Sequence, residues 1–270
     1  MNQQRKKVVI ITGASSGIGL ALCREYAEKK YDVVMAARNE DKLKQYANEL
    51  SEKTDVLAVK TDVTVQEDCK NLIEKTIEKF GRIDILINNA GISMRALFED
   101  MDLKVMRHLM DVNFWGTVYC TKYALPWLLK TKGTVTGITS VAGIHGLPAR
   151  SGYSASKFAM QGFLETIRIE NLHKKLHVLI IAPGFTESNI RKSALTANGT
   201  PQGKSPRDES NMMSPEKVAR KIYKAIRQQR RFVVLTTTGV ITNLVKKFWP
   251  AFLDHAFFRA MKNEPDSPLK

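Results

Sequence analysis

Hydrophobic positions in the first 180 residues follow two alternating periods. VVIIT (8–12), DVVMAA (32–37), VLAV (56–59), ILI (85–87), TVTGIT (134–139) and LHVLIIA (176–182) are short runs, mostly apolar along their whole length. Such runs predict strands buried on both faces. Between them, apolar residues recur at helical spacing over about 17–30, 40–52, 65–80, 103–130 and 152–174. Strand and helix in alternation with short connections predict an α/β fold, a doubly wound parallel sheet covered on both sides. Right-handed crossovers then bring the C-terminal ends of the strands to one edge, where such folds bind ligands.

After residue 183 the rhythm changes. Residues 187–213 (ESNIRKSALTANGTPQGKSPRDESNMM) are polar, long and broken by Gly and Pro, the character of a substrate loop or lid. Ser214-Pro215-Glu216 starts a further helix with an N-cap and Pro at the first turn, and FVVLTT (232–237) reads as the last strand. A length of 270 residues would allow two domains, but no boundary or repeat is visible. The expectation is one single domain over 1–270, with the loop at 187–213 and a basic, aromatic tail at 239–270.

Composition narrows the class. Cys23, Cys69 and Cys120 fit no zinc spacing and cannot all pair, which suits a reducing compartment. The five histidines show no ligand spacing, so no metal site is expected. The apolar run after MNQQRKK is shorter than the roughly 7–15 residues of a signal sequence. The uncharged apolar stretch 232–245 is below the ~20 residues that span a bilayer. A cytoplasmic protein is expected. The net charge of +15 is unusual, and +9 of it lies in 217–270. A solvated surface is the ordinary reading of such an end, and an anionic membrane surface the other. The tail lacks the interleaved aromatic platform of single-strand binders, so no nucleic acid is expected.

Thr12-Gly13-Ala14-Ser15-Ser16-Gly17-Ile18-Gly19 joins the first strand to the first helix. Glycines at such a junction let the backbone approach a pyrophosphate whose charge sits on the helix N-terminus. An NAD site would end the second strand in an acid that binds the ribose 2′-hydroxyl. Here the end is Ala36-Ala37-Arg38-Asn39, and the Arg38 fork suits a 2′-phosphate, pointing to NADP(H). The plainer alternative is that Arg38 begins a polar turn. Asp62, before Val63, is read either as an acceptor for the adenine amino group or as a cap for the next helix.

Tyr153-Ser154-Ala155-Ser156-Lys157 puts Tyr and Lys one helical turn apart on one face. A phenol has an ordinary pKa of about 10, and a nearby cation favours the phenolate and readies it for proton exchange. Ser140 follows the TVTGIT strand directly, and Asn113 lies in the long central helical pattern. Met94, Leu147, Phe185, Met212 and Met213 lie beside these motifs, where each reads as pocket lining or as core.

Taken together, TGASSGIG (12–19), NNAG (88–91), Asn113, Ser140, YSASK (153–157) and PG (183–184) resemble the short-chain dehydrogenase/reductase family, in its order and spacing, over roughly 7–237. The segment NIRKSALTANGT (189–200) and the C-terminal half resemble the branch of dehydrogenase/reductase member 7 proteins, some of which are membrane-associated reductases of steroid-like or retinoid-like carbonyls. The resemblance implies a Rossmann-type fold and assigns Tyr153 as general acid/base. It makes Lys157 the ribose-binding cation, Ser140 the group that orients the carbonyl, and Asn113 the holder of a proton-relay water. For the cofactor it implies contacts from Gly13, Ser15, Ser16, Gly17, Ile18 and Gly19, from Arg38, Asp62 and Val63, and from Asn89, Ala90 and Gly91. Tyr153, Lys157, Pro183 and Gly184 complete the set, with either Ser188 or Thr186 serving the nicotinamide carboxamide.

The expected function is NADP(H)-dependent hydride transfer between the nicotinamide and a carbonyl or secondary alcohol, on a bulky or apolar substrate, by a homodimer or homotetramer. The rival readings are a catalytically weak dinucleotide-binding redox sensor and a peripheral membrane protein acting through the tail.

Overall fold

The computed structural model describes residues 6–184, 186, 190–205, 212–264 and 266–270. Seven parallel strands form one sheet: β1 (Val8–Thr12), β2 (Asp32–Ala37), β3 (Val56–Lys60), β4 (Ile85–Asn88), β5 (Thr134–Ile138), β6 (His177–Ala182) and β7 (Phe232–Val234), in spatial order β3-β2-β1-β4-β5-β6-β7. The order reverses between β1 and β4, the place where open α/β sheets form their ligand crevice.

Strand periodicity sorts the core into two layers. Val9 and Ile11 of β1 pack on one face with α1 (Gly17–Glu28), α2 (Glu40–Ser51) and α7 (Pro215–Arg227). Val8 and Ile10 pack on the other with α3 (Gln66–Phe80), α5 (Gly116–Thr131) and α6 (Ser151–Glu170). The continuous apolar runs are thus explained: both faces of the sheet are covered.

Three boundaries depart from the sequence expectation. The helix expected over 103–130 is α4 (Leu103–Met110) and α5 joined by a π-helical turn, Asp111–Trp115. Such turns often mark functional sites, and this one carries Asn113. Just beyond it, a Cβ on Gly116 would lie 2.8 Å from the Val63 side chain, so only glycine lets α5 settle there. α6 ends at Glu170, with a 3-10 turn over Leu172–Lys174 in place of its expected last turn. The last strand stops at Val234 because Thr236 turns the chain, its Oγ1 accepting from Gly239 N (3.2 Å) to cap α8 (Thr237–Phe248).

The expected tail is helical: α8 is followed by α9 (Pro250–Lys262). Thr242, Leu253 and Met261 are buried and Phe257 is half-buried, whereas Phe248, Trp249 and Phe252 are each 66% exposed. Each helix packs one face only, so most of its aromatics remain outside. Beyond α9, Glu264 pairs with Arg95 (3.3 Å) in a buried ion pair, and Arg95 also donates to Asp266 O (3.0 Å). The chain end is thereby tied to the segment after β4.

Gly137 in β5 marks a close approach. A Cβ there would meet Leu164 Cδ1 at 2.2 Å, so α6 lies hard against β5. That contact fixes the helix that carries Tyr153 and Lys157.

Candidate active site

The turn after β1 is built from glycine for two different reasons. Gly13 (φ 66°) and Gly17 (φ 51°) occupy the left-handed region, while a Cβ on Gly19 would stand 2.2 Å from Gly13 O. The first two shape the turn and the third lets α1 close on it. Across the crevice, Thr12 Oγ1 accepts from Asn89 N and Ala90 N (3.0 Å each), and Asn89 Nδ2 donates to Thr12 O (2.8 Å). These bonds lock the ends of β1 and β4 together. Ser16 caps α1 in extended backbone without a side-chain hydrogen bond. The first N–H groups of the helix therefore stay available to an anion.

A groove of about 630 Å³ runs from this turn and is lined by Gly13, Ser15, Ser16, Gly17 and Ile18, then by Arg38, Asp62 and Val63, then by Asn89, Ala90 and Gly91. Arg38 is exposed and makes no hydrogen bond or ion pair among the described residues. Asn39, one residue on, caps α2 by accepting from Lys42 N (2.9 Å). Asp62 does not cap α3, whose N-cap is Val65; its Oδ1 accepts from Thr64 N (3.0 Å) and Thr64 Oγ1 (2.8 Å) in the preceding turn. A Cβ on Gly91 would lie 3.0 Å from Asn113 Oδ1 and 3.2 Å from Lys157 Nζ. A groove of this size, floored by glycine at the reversal of strand order, fits a dinucleotide.

A second cavity of about 170 Å³ adjoins it through Ile18, Asn89, Gly91 and Ile190. Ser140, Tyr153 and Lys157 line it together, and Pro183, Gly184 and Thr186 line the same cavity rather than the groove. Ser140 Oγ accepts from Ala142 N (3.2 Å), which leaves its proton free to donate. Burial raises the pKa of Tyr153, while hydrogen bonding to Ser140 and the charge of Arg150 act in the opposite direction. Lys157 Nζ donates to Ile138 O (2.9 Å), and burial pushes its pKa down to about 8. The ammonium lies 5.8 Å from the Tyr153 ring centre. Arg150, on the same cavity wall, adds a second cation whose charge favours the phenolate.

The structure does not bring every predicted residue to a cavity wall. Gly19 is buried beneath the turn. Asn113 is fully buried, its Nδ2 donating to Ile92 O (3.0 Å) and Ser156 Oγ (2.8 Å) and its Oδ1 accepting from Ile92 N (2.9 Å). It clamps the segment after β4 to α6. Ser188 and Phe185 lie outside the described residues, so only Thr186 of the two candidate hydroxyls is placed. Of the apolar candidates, Leu147 lines the cavity, Met94 is buried in the core behind it, and Met213 pairs with Thr186. Sequence reasoning missed Ser93, Arg150 and Arg191, and the wall built by Thr238, Thr242 and Phe257. Arg150, three residues before Tyr153, was the legible member of that group. Among the described residues no three His, Cys, Asp or Glu side chains cluster to hold a metal.

Lys157 yields a stability prediction. Its folded pKa of about 8 lies below the 10.5 of an exposed lysine, so the unfolded chain binds more protons between these values and stability rises with pH there. Below pH 8 the burial penalty is fully present. Lys157→Met should therefore stabilise the cofactor-free protein at pH 7 by roughly 1–3 kcal/mol, a gain that shrinks as pH rises above 8. Denaturant unfolding of both proteins at pH 7 and pH 10 checks this.

Comparison with known proteins supplies the context. The family model described as short chain dehydrogenase matches residues 7–199. The chain is 35% identical over 272 residues to 11-beta-hydroxysteroid dehydrogenase A of Sesamum indicum, covering 98% of this chain and 78% of that protein. It is 34% identical to dehydrogenase/reductase SDR family protein 7-like of Dictyostelium discoideum, covering 94% and 82%. With 11-beta-hydroxysteroid dehydrogenase-like 4A of Arabidopsis thaliana the identity is 46% over 194 residues, 71% of this chain but only 64% of that relative's length. Among solved structures, an alcohol dehydrogenase of the archaeon Thermococcus sibiricus complexed with 5-hydroxy-NADP superposes with a TM-score of 0.76 at 26% identity, covering 85% of this chain and 96% of that one. A short chain dehydrogenase/reductase of Burkholderia phymatum in complex with NAD shares the fold at a TM-score of 0.82 and 22% identity, covering 94% and 97%.

Proposed function

The chain belongs to the short-chain dehydrogenase family of oxidoreductases, and from that premise we propose that it interconverts a bulky, apolar carbonyl compound and its secondary alcohol using NADP(H). The observation that carries the reading is the meeting of Ser140, Tyr153 and Lys157 in one largely apolar cavity beside the glycine-floored groove. When bound, the nicotinamide supplies the hydride that ends on the carbonyl carbon. Ser140 donates to the carbonyl oxygen and stabilises the alkoxide as it develops. Tyr153 gives its phenolic proton to that oxygen and is left as phenolate. Lys157 holds the cofactor side of the cavity, and Asn113 keeps α6 in register with the segment after β4. Ile190 and Arg191, which face the catalytic cavity, make 187–213 the substrate loop in this reading. A panel of carbonyls and alcohols followed at the NADPH absorbance band tests it, and absence of turnover across aliphatic, aromatic and steroid ketones would reject it.

The preference for NADP(H) rests on Arg38 standing where an acid would bind the ribose 2′-hydroxyl. A charge-assisted contact of ~1.5–3 kcal/mol corresponds to a preference of roughly ten- to hundredfold, which Arg38→Ala should erase. Michaelis constants for NADPH and NADH in both proteins decide it. Equal constants in the unmutated enzyme would sink the assignment.

Two interaction readings go with the exposed apolar surface. No helix among the described residues is long and apolar enough to cross a membrane. The outer face of α8–α9, with Phe248, Trp249 and Phe252 beside Lys247, Arg259 and Lys262, suits contact with an anionic bilayer. Co-sedimentation with phosphatidylserine vesicles, lost on replacing the three aromatics by Ala, is the expected result. Trp115, Phe158 and Ile169, exposed on and beside α5 and α6, suit a second copy in a dimer or tetramer, which light scattering would read as a multiple of the chain mass.

A further inference from the structure

Arg150 stands at the N-cap of α6, and Tyr153 and Lys157 follow three and seven residues later. At helical spacing these positions share one face, and all three side chains line the catalytic cavity. The guanidinium is anchored from across the cavity: Nη1 donates to Ser93 Oγ (2.8 Å) and to Met94 O (2.7 Å). A long, flexible side chain fixed in this way places its charge at a defined point, which a surface arginine does not.

From this arrangement, and resting on the reading of Tyr153 as acid/base, we infer that Arg150 is a positioning residue that holds a fixed positive charge beside the phenol and so sets the pH range in which Tyr153 exchanges its proton. The charge of Arg150 does bear on the phenol, opposing the effect of burial. Lys157 donates to Ile138 O and, with its pKa pushed down to about 8 by burial, loses its charge as pH rises past that value, whereas Arg150 adds a cation that stays charged at every working pH. The other charged groups nearby are differently engaged. Arg191 donates to Thr186 O (2.9 Å), Arg95 pairs with Glu264, and His145 pairs with Asp254 (3.2 Å). On α4, which packs against α6, His108 lines the groove and Arg107 is exposed. No carboxylate lines the catalytic cavity among the described residues.

Arg150→Gln keeps a hydrogen-bonding side chain and removes the charge; Arg150→Lys keeps the charge and loses the fork. The test is the pH dependence of kcat/KM for oxidation of 1-phenylethanol with NADP+, where the acidic limb reports the group that must be deprotonated. A second readout needs no turnover: ionisation of Tyr153 in the NADP+ complex, followed by ultraviolet difference absorbance with Tyr153→Phe subtracted. With an opposite charge removed from close range, the expected result is that the limb and the Tyr153 ionisation both move up by about one pH unit in Arg150→Gln, an approximately tenfold loss below the limb and little above it. Arg150→Lys should restore most of the shift. Unmoved midpoints in folded Arg150→Gln, or an equal loss at every pH, would overturn the inference and leave Arg150 a packing residue. If Arg150→Gln unfolds, Arg150→Met is read in the same two ways. Substantial turnover in Tyr153→Phe would show a different failure, that of the acid/base reading, and the inference would fall with it.

Discussion

Tyr153→Phe is expected to lose between about 10²- and 10⁴-fold in turnover while binding NADPH as tightly as the unmutated protein, because only the proton donor is removed. The ring remains and fills the same buried position, next to Met94, Val105 and Leu109. No backbone bond depends on the hydroxyl, so the fold has no reason to change. Ser140 can donate a hydrogen bond but cannot replace it as the acid, because an aliphatic alcohol is far less acidic than a phenol. The comparison to make is kcat for the best carbonyl of the panel against cofactor affinity by NADPH fluorescence. A variant that keeps more than about a tenth of the rate would show that the proton comes from elsewhere.

Gly19→Ala should be the most damaging single methyl group in the chain. Its Cβ would fall 2.2 Å from Gly13 O, a backbone atom in a turn already set by two left-handed glycines. Either α1 backs away from the sheet or the turn deforms, and both outcomes spoil the groove. Overpacking of this kind costs about 1–3 kcal/mol, and at roughly 2–4 °C per kcal/mol the melting temperature should fall by about 2–12 °C. Affinity for NADPH should fall at least about tenfold, since misplacement by an ångström is enough to lose such contacts. Gly162→Ala provides the control. Nothing lies within 4 Å of that Cβ on the exposed side of α6, so the helix should gain about 0.5–1 kcal/mol. Equal melting temperatures for Gly19→Ala and the unmutated protein would show the turn to be looser than its distances imply.

The sheet was legible because buried parallel strands announce themselves as unbroken apolar runs, and six of the seven strands overlap their expected ranges almost residue for residue. The seventh ran short because Thr236 uses its hydroxyl as a cap, a choice that a β-branched residue in an apolar run does not advertise. The π-helical turn at Asp111–Trp115 escaped for a related reason: a one-residue slip in hydrogen bonding leaves the apolar spacing nearly unchanged. Within the site, residues tied to a turn or a strand end were readable from position alone. Asn113 was readable by resemblance but not in its surroundings, since its hydrogen bonds to Ile92 and Ser156 join segments 21 and 43 residues away. Nothing in the sequence of the aromatic tail told which residues face the body: Leu253 and Met261 are buried and Phe257 half-buried, whereas Phe248, Trp249 and Phe252 stay exposed.

Thr238, Thr242 and Phe257 come from a stretch beyond the reach of the family model, which ends at residue 199, and yet they form part of the wall against which a substrate would lie. The residues that line the glycine-floored groove lie earlier in the chain, none of them beyond Pro201. Inheritance can therefore act on the two separately: mutations in the last helices can retune what is accepted without touching what is done to it. Grafting residues 236–262 between relatives would change this part of the wall and leave the lining of the groove in place.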